Sequence, residues 1–461
     1  MEKFDLIVLG GGPGGYVAAI RGAQLGLKTC IIEKDELGGI CLNWGCIPTK
    51  ALLKNAEVFH YIKNSEKFGI NVENISIDFK RNIKRSRDVA KRLSKGIEFL
   101  IKKNNIKHYS GFGKLVSNKE IEIFDGDKKF LLEAKKIIIA TGARPKTIPK
   151  IEFDNRIISY KEAMTLTELP KRLIIIGAGA IGCEFAYYYN EFGTDVHLIE
   201  SENQILPLED IDISKEVEKS FNHSGINILT GTKVSRITSL KTKIKVHIEK
   251  EGSEKLISGD FALLAVGVTG NIENIGLEDL GIKIKNGSIQ INEYNQTNIP
   301  NIYAIGDVSG PPWLAHVASG QGHIAAEHAA EHSVIPIDYS NIPGCTYCQP
   351  QVGSLGLTEK QAKDKGFDIK IGLFPFQGSG KAMAVGDTTG FVKLVFDSQY
   401  GELLGAHIVG SDATELIAEL VLAKALETTW EDIAMTIHAH PTLSEAIMES
   451  AMDAFGLAIH K

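Results

Sequence analysis

Cys41 and Cys46 stand in the run GGICLNWGCIPTK (Gly38 to Lys50), and their spacing limits what they can do. In a straight α-helix a five-residue step rises about 7.5 Å, beyond the roughly 7 Å over which a disulfide can close. The pair can bond only across a bend, and Asn43, Gly45 and Pro48 are the residues that would permit one. A zinc site wants closer pairing and two further ligands. A redox-active disulfide is therefore the expected chemistry, with a metal site and inert thiols as the alternatives. A dithiol also needs a base. The run His438-Ala-His-Pro-Thr-Leu-Ser-Glu445 places two histidines and a carboxylate within eight residues. Imidazole titrates near ~6.5 and a free thiol near ~8.5, so such a histidine can take a thiol proton close to neutral pH. An ordinary loop histidine is the plainer reading. His316 is a weaker candidate.

The elements that would position these groups announce themselves as a repeat. A short apolar run, Phe4 to Leu9, enters GGGPGG, and a second, Leu173 to Ile176, enters GAGAIG. Each is followed by an alanine-rich helical stretch and a second apolar run that stops at an acid. Glu33 and Glu200 lie at the same offset, 23 residues, from Gly10 and Gly177. A lone glycine fingerprint is weak, but here each sits between a predicted strand and a helix, with a carboxylate at the right distance. The first glycine (Gly10, Gly177) makes a turn that a side chain would block. The second (Gly12, Gly179) lets backbone amides reach a pyrophosphate at the helix N-terminus. The third (Gly15, Gly182) lets helix and strand pack closely. Glu33 and Glu200 would accept from a ribose 2′-hydroxyl, and Ser201-Glu202 beyond Glu200 would repel a 2′-phosphate, which favours NAD over NADP. Two dinucleotide sites in one chain point to electron transfer between a flavin and a nicotinamide.

Two further strand candidates, Lys136 to Gly142 and Asn301 to Asp307, carry no glycine loop with a helix behind it and should return to the first sheet. From about Asn341 the texture becomes α+β, with Phe391–Asp397 and Gly405–Gly410 preceding a helical stretch, 413–426. Between Lys80 and Lys107 stand eleven Lys or Arg against Asp88 and Glu98. Ile83, Ala90, Leu93, Ile97 and Leu100 give that segment one apolar face, so the cations read as a solvated helix face, or else as a docking strip for an acidic partner. Cys30 and Cys183 read as core. Cys345 and Cys348 form a CxxC with no redox helix and no second CxxC, and read as structural.

Composition closes off other classes. The chain has 461 residues, 43% apolar and 23% charged, as an ordinary globular protein of several domains does. A net charge of −6 argues against a nucleic-acid partner, and no apolar run approaches the ~18 residues of a membrane span. The N-terminus does not read as a signal peptide. Six cysteines are too few for a disulfide-stapled secreted scaffold, so a reducing, cytoplasmic setting is expected.

Taken with ATGARP (Ala140 to Pro145), AIGD (Ala304 to Asp307) and HAHPTLSE, these motifs run in one specific order. The whole chain resembles the flavin-dependent pyridine nucleotide-disulfide oxidoreductases. The resemblance implies an α/β fold with two Rossmann-like dinucleotide-binding domains and an α+β C-terminal dimerisation domain. The implied boundaries are 1–145 (FAD), 146–270 (NAD), 271–341 (completing the FAD domain) and 342–461 (dimer interface). It implies FAD and NAD as cofactors, a homodimer, and lipoyl-bearing domains of 2-oxo acid dehydrogenase or glycine-cleavage complexes as partners. The implied reaction is oxidation of protein-bound dihydrolipoamide with reduction of NAD. Matched motif by motif, Cys41 exchanges with the substrate, Cys46 faces the flavin, and Lys50 lies near it, paired with Glu184. Glu33, Gly113, Thr141, Gly142, Asp307 and Ala315 contact FAD, and Val234 and Gly267 join the second loop around NAD. His440, oriented by Glu445, serves the other subunit's disulfide.

Some positions depart from the family pattern. After Gly267 the chain reads VTGN where an Arg and a Pro are usual, and Gly320-Gln321 replace a common Glu pair. Rival readings are another disulfide reductase of the family, or a non-catalytic dinucleotide-binding subunit. Glu200 speaks against the NADPH-using members. The presence of Cys41, Cys46 and His440 speaks against the second rival.

Overall fold

The structure, a computed structural model, describes residues Met1–Lys461. Its first sheet is built on the Glu2–Leu9 strand, which lies between Thr29–Glu33 and Lys128–Ile139, parallel to both. Leu6, Ile7 and Val8 are all fully buried, as a parallel strand covered on both faces requires. Ile302–Ala304 adds to the far side of Lys128–Ile139, so both predicted returning strands do return to this sheet. A second parallel sheet, centred on Arg172–Ile176, repeats the arrangement with Asp195–Ile199 and Phe261–Leu264 beside it. Helix α1 (Pro13–Gln24) and the Ala180–Glu191 helix each follow a glycine loop.

Three helices frame the cysteine motif: α2 (Gly39–Trp44), α3 (Cys46–Lys63) and α4 (Phe79–Lys103). The C-terminal part is a five-stranded antiparallel sheet, with the Ala413–Ala425 and Glu445–Asp453 helices packed on it.

One ion cluster ties this C-terminal sheet to the second sheet's side. Lys393, on the Phe391–Asp397 strand and 1% exposed, lies 2.9 Å from Asp210, 2.6 Å from Asp212 and 2.8 Å from Glu359. Asp210 also caps the Ile211–His223 helix by accepting from the Asp212 amide. Burial pushes the Asp210 carboxyl up. The bonds from Lys393 and the Asp212 amide outweigh it and leave the group below its ordinary value. A depressed carboxylate adds stability that is complete above the unfolded-state pKa and is lost as pH falls through the folded one. Removing the cation strands the buried Asp210 carboxylate. Lys393→Met should cost about 3–5 kcal/mol, read as a lower denaturation midpoint at pH 7, and the deficit should shrink as the pH is lowered through the carboxylate range.

Candidate active site

The bend demanded by the cysteine spacing is present. Helix α2 stops at Trp44, Gly45 leaves helical geometry at φ −147° and ψ −115°, and α3 starts at Cys46. A Cβ on Gly45 would sit 3.1 Å from the Ile40 carbonyl oxygen. The break is held from several sides. Asn43, 2% exposed, donates through Nδ2 to the Leu37 and Gly39 carbonyls at 3.1 and 3.0 Å. Thr49 Oγ1 donates to the Gly45 carbonyl at 2.6 Å. From α4, Arg87 donates to the Asn43 carbonyl at 2.6 Å and lays its guanidinium 4.1 Å from the Trp44 ring centre, while Ser94 Oγ reaches the Leu37 carbonyl at 2.5 Å. The basic segment is therefore not only a solvated face. Its Arg87 is part of the frame around the cysteines.

Both cysteines are free thiols here, and the Cys41 thiol donates to the Cys46 sulfur. That bond holds Cys46 below the ordinary thiol range against the opposing effect of burial, and Lys50 adds to it. The same bond, together with burial, pushes Cys41 up. The two sulfurs are thus made unequal, with negative charge favoured on Cys46 and the proton favoured on Cys41. Lys50 is positioned by Glu184, whose two carboxylate oxygens lie 2.8 and 2.9 Å from Nζ. Its ammonium also stands 4.4 Å from the centre of the Tyr347 ring, and the Tyr347 amide donates to Glu184 at 3.1 Å.

One continuous cavity of about 1970 Å³ joins Cys41, Cys46 and Lys50 to both glycine loops. An ordinary small-ligand cleft is roughly 300–1,000 Å³, so there is room for two large ligands. The loops fit dinucleotides on their own geometry. Gly10 and Gly177 sit at φ +110° and +100°, where a side chain is strained. A Cβ on Gly15 or Gly182 would fall 1.9 Å from the carbonyl oxygen of Gly10 or Gly177, so the third glycine is required by helix packing. Nothing lies within 4 Å of a Cβ built on Gly179, and only Gly39 Cα at 4.0 Å for Gly12. The backbone there is left bare toward the cavity. Glu33 accepts from the Gly11 amide at 2.6 Å, and Glu200 accepts from the Ala178 amide at 2.7 Å. Each acid therefore clamps its own glycine loop, a duty the spacing had not suggested.

Thr141, Gly142, Asp307, Ala315, Val234 and Gly267 all line the cavity. Burial alone pushes the Asp307 carboxyl up. Gly113 does not line the cavity. It sits in the Phe112–Leu115 strand, where a Cβ would meet Leu9 Cδ1 at 2.5 Å, so its smallness serves packing. The VTGN departure is absorbed by a different lock: Thr141 Oγ1 donates to the Asn271 carbonyl at 2.8 Å, and Asn271 Nδ2 returns a bond to the Thr141 carbonyl at 2.9 Å. Gln321 keeps its local bonds, accepting from the Gly306 amide at 2.6 Å and donating to the Tyr339 hydroxyl at 2.8 Å.

His440 and Glu445 are paired at 2.9 Å, and the Thr442 amide bonds the second Glu445 oxygen at 2.8 Å. Those contacts, the Thr442 amide first, hold the Glu445 carboxyl below its usual range. The pair does not line the cavity of its own chain, and the His440 side chain is 78% exposed. His438 is engaged elsewhere, 2.7 Å from Glu419. Of the CxxC, Cys345 lines the cavity while Cys348 is fully buried and donates to the Pro350 carbonyl.

Sequence reasoning missed Arg87, Ser94 and Tyr347. Arg87 had a signal: it lies four residues after Ile83 and three before Ala90, on the edge of the buried stripe of α4.

A double dinucleotide cavity with a bent cysteine pair between its halves defines a class. Residues 4–322 match the pyridine nucleotide-disulphide oxidoreductases and residues 342–451 match that family's dimerisation domain. The chain belongs to this family. It is 49% identical to the dihydrolipoyl dehydrogenase of Zymomonas mobilis, with 100% of this chain and 99% of the relative covered. It is 44% identical to that of Bacillus subtilis over 99% of both. The crystal structure of LpdA from Mycobacterium tuberculosis superposes with a TM-score of 0.91 at 26% identity, covering 98% of this chain and 99% of that one. No helix is long and apolar enough to cross a membrane.

Proposed function

We propose that this chain oxidises a protein-borne dihydrolipoyl group to its disulfide and delivers the electron pair to NAD by way of FAD, as a cytoplasmic homodimer. What supports this most is the placing of Cys41 and Cys46, across a helix break, on one cavity wall between two clamped glycine loops. The proposed domains are 1–145 and 271–341 for FAD, 146–270 for NAD and 342–461 for the dimer interface. Gly12, Glu33, Lys50, Asp307 and Ala315 would hold FAD, with Gly179, Glu200, Val234 and Gly267 around NAD. Bound there, FAD supplies a two-electron acceptor between the sulfurs and NAD.

The chain's own residues perform the sulfur chemistry. In the oxidised enzyme, a substrate thiolate attacks Cys41 Sγ, and Cys46 leaves as a thiolate held by Lys50. His440 of the partner subunit, fixed in orientation by a carboxylate on one ring nitrogen, takes the proton of the second substrate thiol. That thiolate displaces Cys41, closing the substrate disulfide, and Cys41 leaves as a thiolate that takes the proton back from His440 of the partner subunit and shares it with Cys46. Two substrate thiols become one disulfide and one enzyme disulfide becomes two thiols, so electrons balance.

The test is turnover: purified protein should reduce NAD with dihydrolipoamide and should fail to reduce glutathione disulfide with either reduced nucleotide. The opposite pattern would replace this reading with another reductase. Glu200→Ala removes a charged acceptor of hydrogen bonds, worth about 1.5–3 kcal/mol. The KM for NAD should rise roughly tenfold or more, while reduction of the enzyme by dithiol in the absence of NAD keeps its rate.

A further inference from the structure

Helix α4 does more than frame the cysteines. At 100° per residue, Lys84, Lys91, Lys95 and Lys102 fall within about 40° of one another. Arg92 and Lys103 lie alongside them, and all are exposed. Lys84 pairs with Asp88 at 2.6 Å, whereas Lys91, Arg92, Lys95, Lys102 and Lys103 form no ion pair, and Glu98 is the one anion among them. Phe99, 64% exposed, stands in the middle of the face. The opposite face of the same helix packs on α2 and α3, the two helices that carry Cys41 and Cys46.

We propose that this outer face of α4 is the docking surface for the small acidic protein domain that carries the dithiol to Cys41. The inference rests on the reaction proposed above. Charge complementarity selects the occupant. The chain as a whole is at −6, so an acidic domain meets net repulsion at long range and is drawn to a face that gathers unpaired cations. The exposed phenyl ring supplies the apolar anchor that an interface centre needs, and the docked domain would be held on the helix that directly backs the two cysteine-bearing helices.

The test uses the full dimer with FAD bound and two substrates: free dihydrolipoamide, and a reduced lipoyl-bearing domain of net negative charge. In the triple variant Lys91→Glu, Lys95→Glu, Lys102→Glu, kcat/KM for the domain should fall at least tenfold while that for free dihydrolipoamide is unchanged. Raising salt should slow wild-type turnover of the domain and leave the variant's nearly flat. Phe99→Ala, which alters no charge, should raise KM for the domain alone. Equal kcat/KM for the domain in wild type and triple variant at low salt overturns the proposal. An equal loss with both substrates overturns it too, as does a shift from dimer to monomer in the triple variant, which would give the face to a second copy of the chain. Failure of the wild type with free dihydrolipoamide would instead strike the reaction itself.

Discussion

A Cys46→Ser enzyme will hold FAD but will reduce NAD from dihydrolipoamide more than about a thousandfold more slowly, the scale on which removing a covalent nucleophile acts. Serine keeps the volume and even the hydrogen bond from Cys41. It cannot form a disulfide, and its hydroxyl stays protonated beside Lys50 at any pH the fold tolerates. The substrate thiolate then meets at Cys41 a lone thiol with no sulfur–sulfur bond to break. Stopped-flow absorbance should show that dithiol no longer bleaches the flavin band. Turnover within a few-fold of wild type would remove the sulfur pair from the mechanism.

The second large effect belongs to His440→Ala, which should lower kcat by about 10²–10⁴, the usual yield of a positioned general base. Much of the activity should return as the pH is raised and the substrate thiol ionises unaided, so the variant's pH profile should climb where the wild type's levels off. The same experiment locates the base. His440 does not line its own chain's cavity, so a heterodimer of one Cys46→Ser chain and one His440→Ala chain contains one complete site. Mixing the two inactive homodimers under conditions that exchange subunits should restore turnover. No recovery after proven exchange would place the base within a single chain.

Much of this was legible in advance because backbone needs write themselves into glycine positions. The loops at Gly10 and Gly177 require open space or close approach at fixed offsets, and those demands leave a periodic trace. The need for a bend between the cysteines was legible from a distance limit, with Asn43, Gly45 and Pro48 as the residues that would permit it, and the break falls at Gly45. Other features leave no local trace. Leu93 belongs by hydrophobic counting to the apolar face of α4, yet it is 40% exposed. The buried stripe runs instead through Ser86, which is fully buried, and past Ser94, which bonds the Leu37 carbonyl. A pattern read only in apolar residues misses serines whose hydroxyls are satisfied by nearby carbonyls. The cluster around Lys393 joins residues up to 183 positions apart, and a lysine inside a strand reads like any solvent-facing one. The His440–Glu445 pair was visible by spacing, but its distance from its own chain's cavity was not.

The twin clamps at Glu33 and Glu200 set a rule for redesign. Both oxygens of Glu200 already serve backbone amides, Ala178 on one side and Glu202 on the other, with the Ser201 hydroxyl as a third donor. Swapping this acid for arginine to recruit a phosphorylated nucleotide would therefore evict the acceptor that shapes the loop as well as the proposed reader of the sugar. Converting coenzyme preference in this scaffold calls for two inventions at once: a cation for the new phosphate and a fresh acceptor for the orphaned amides.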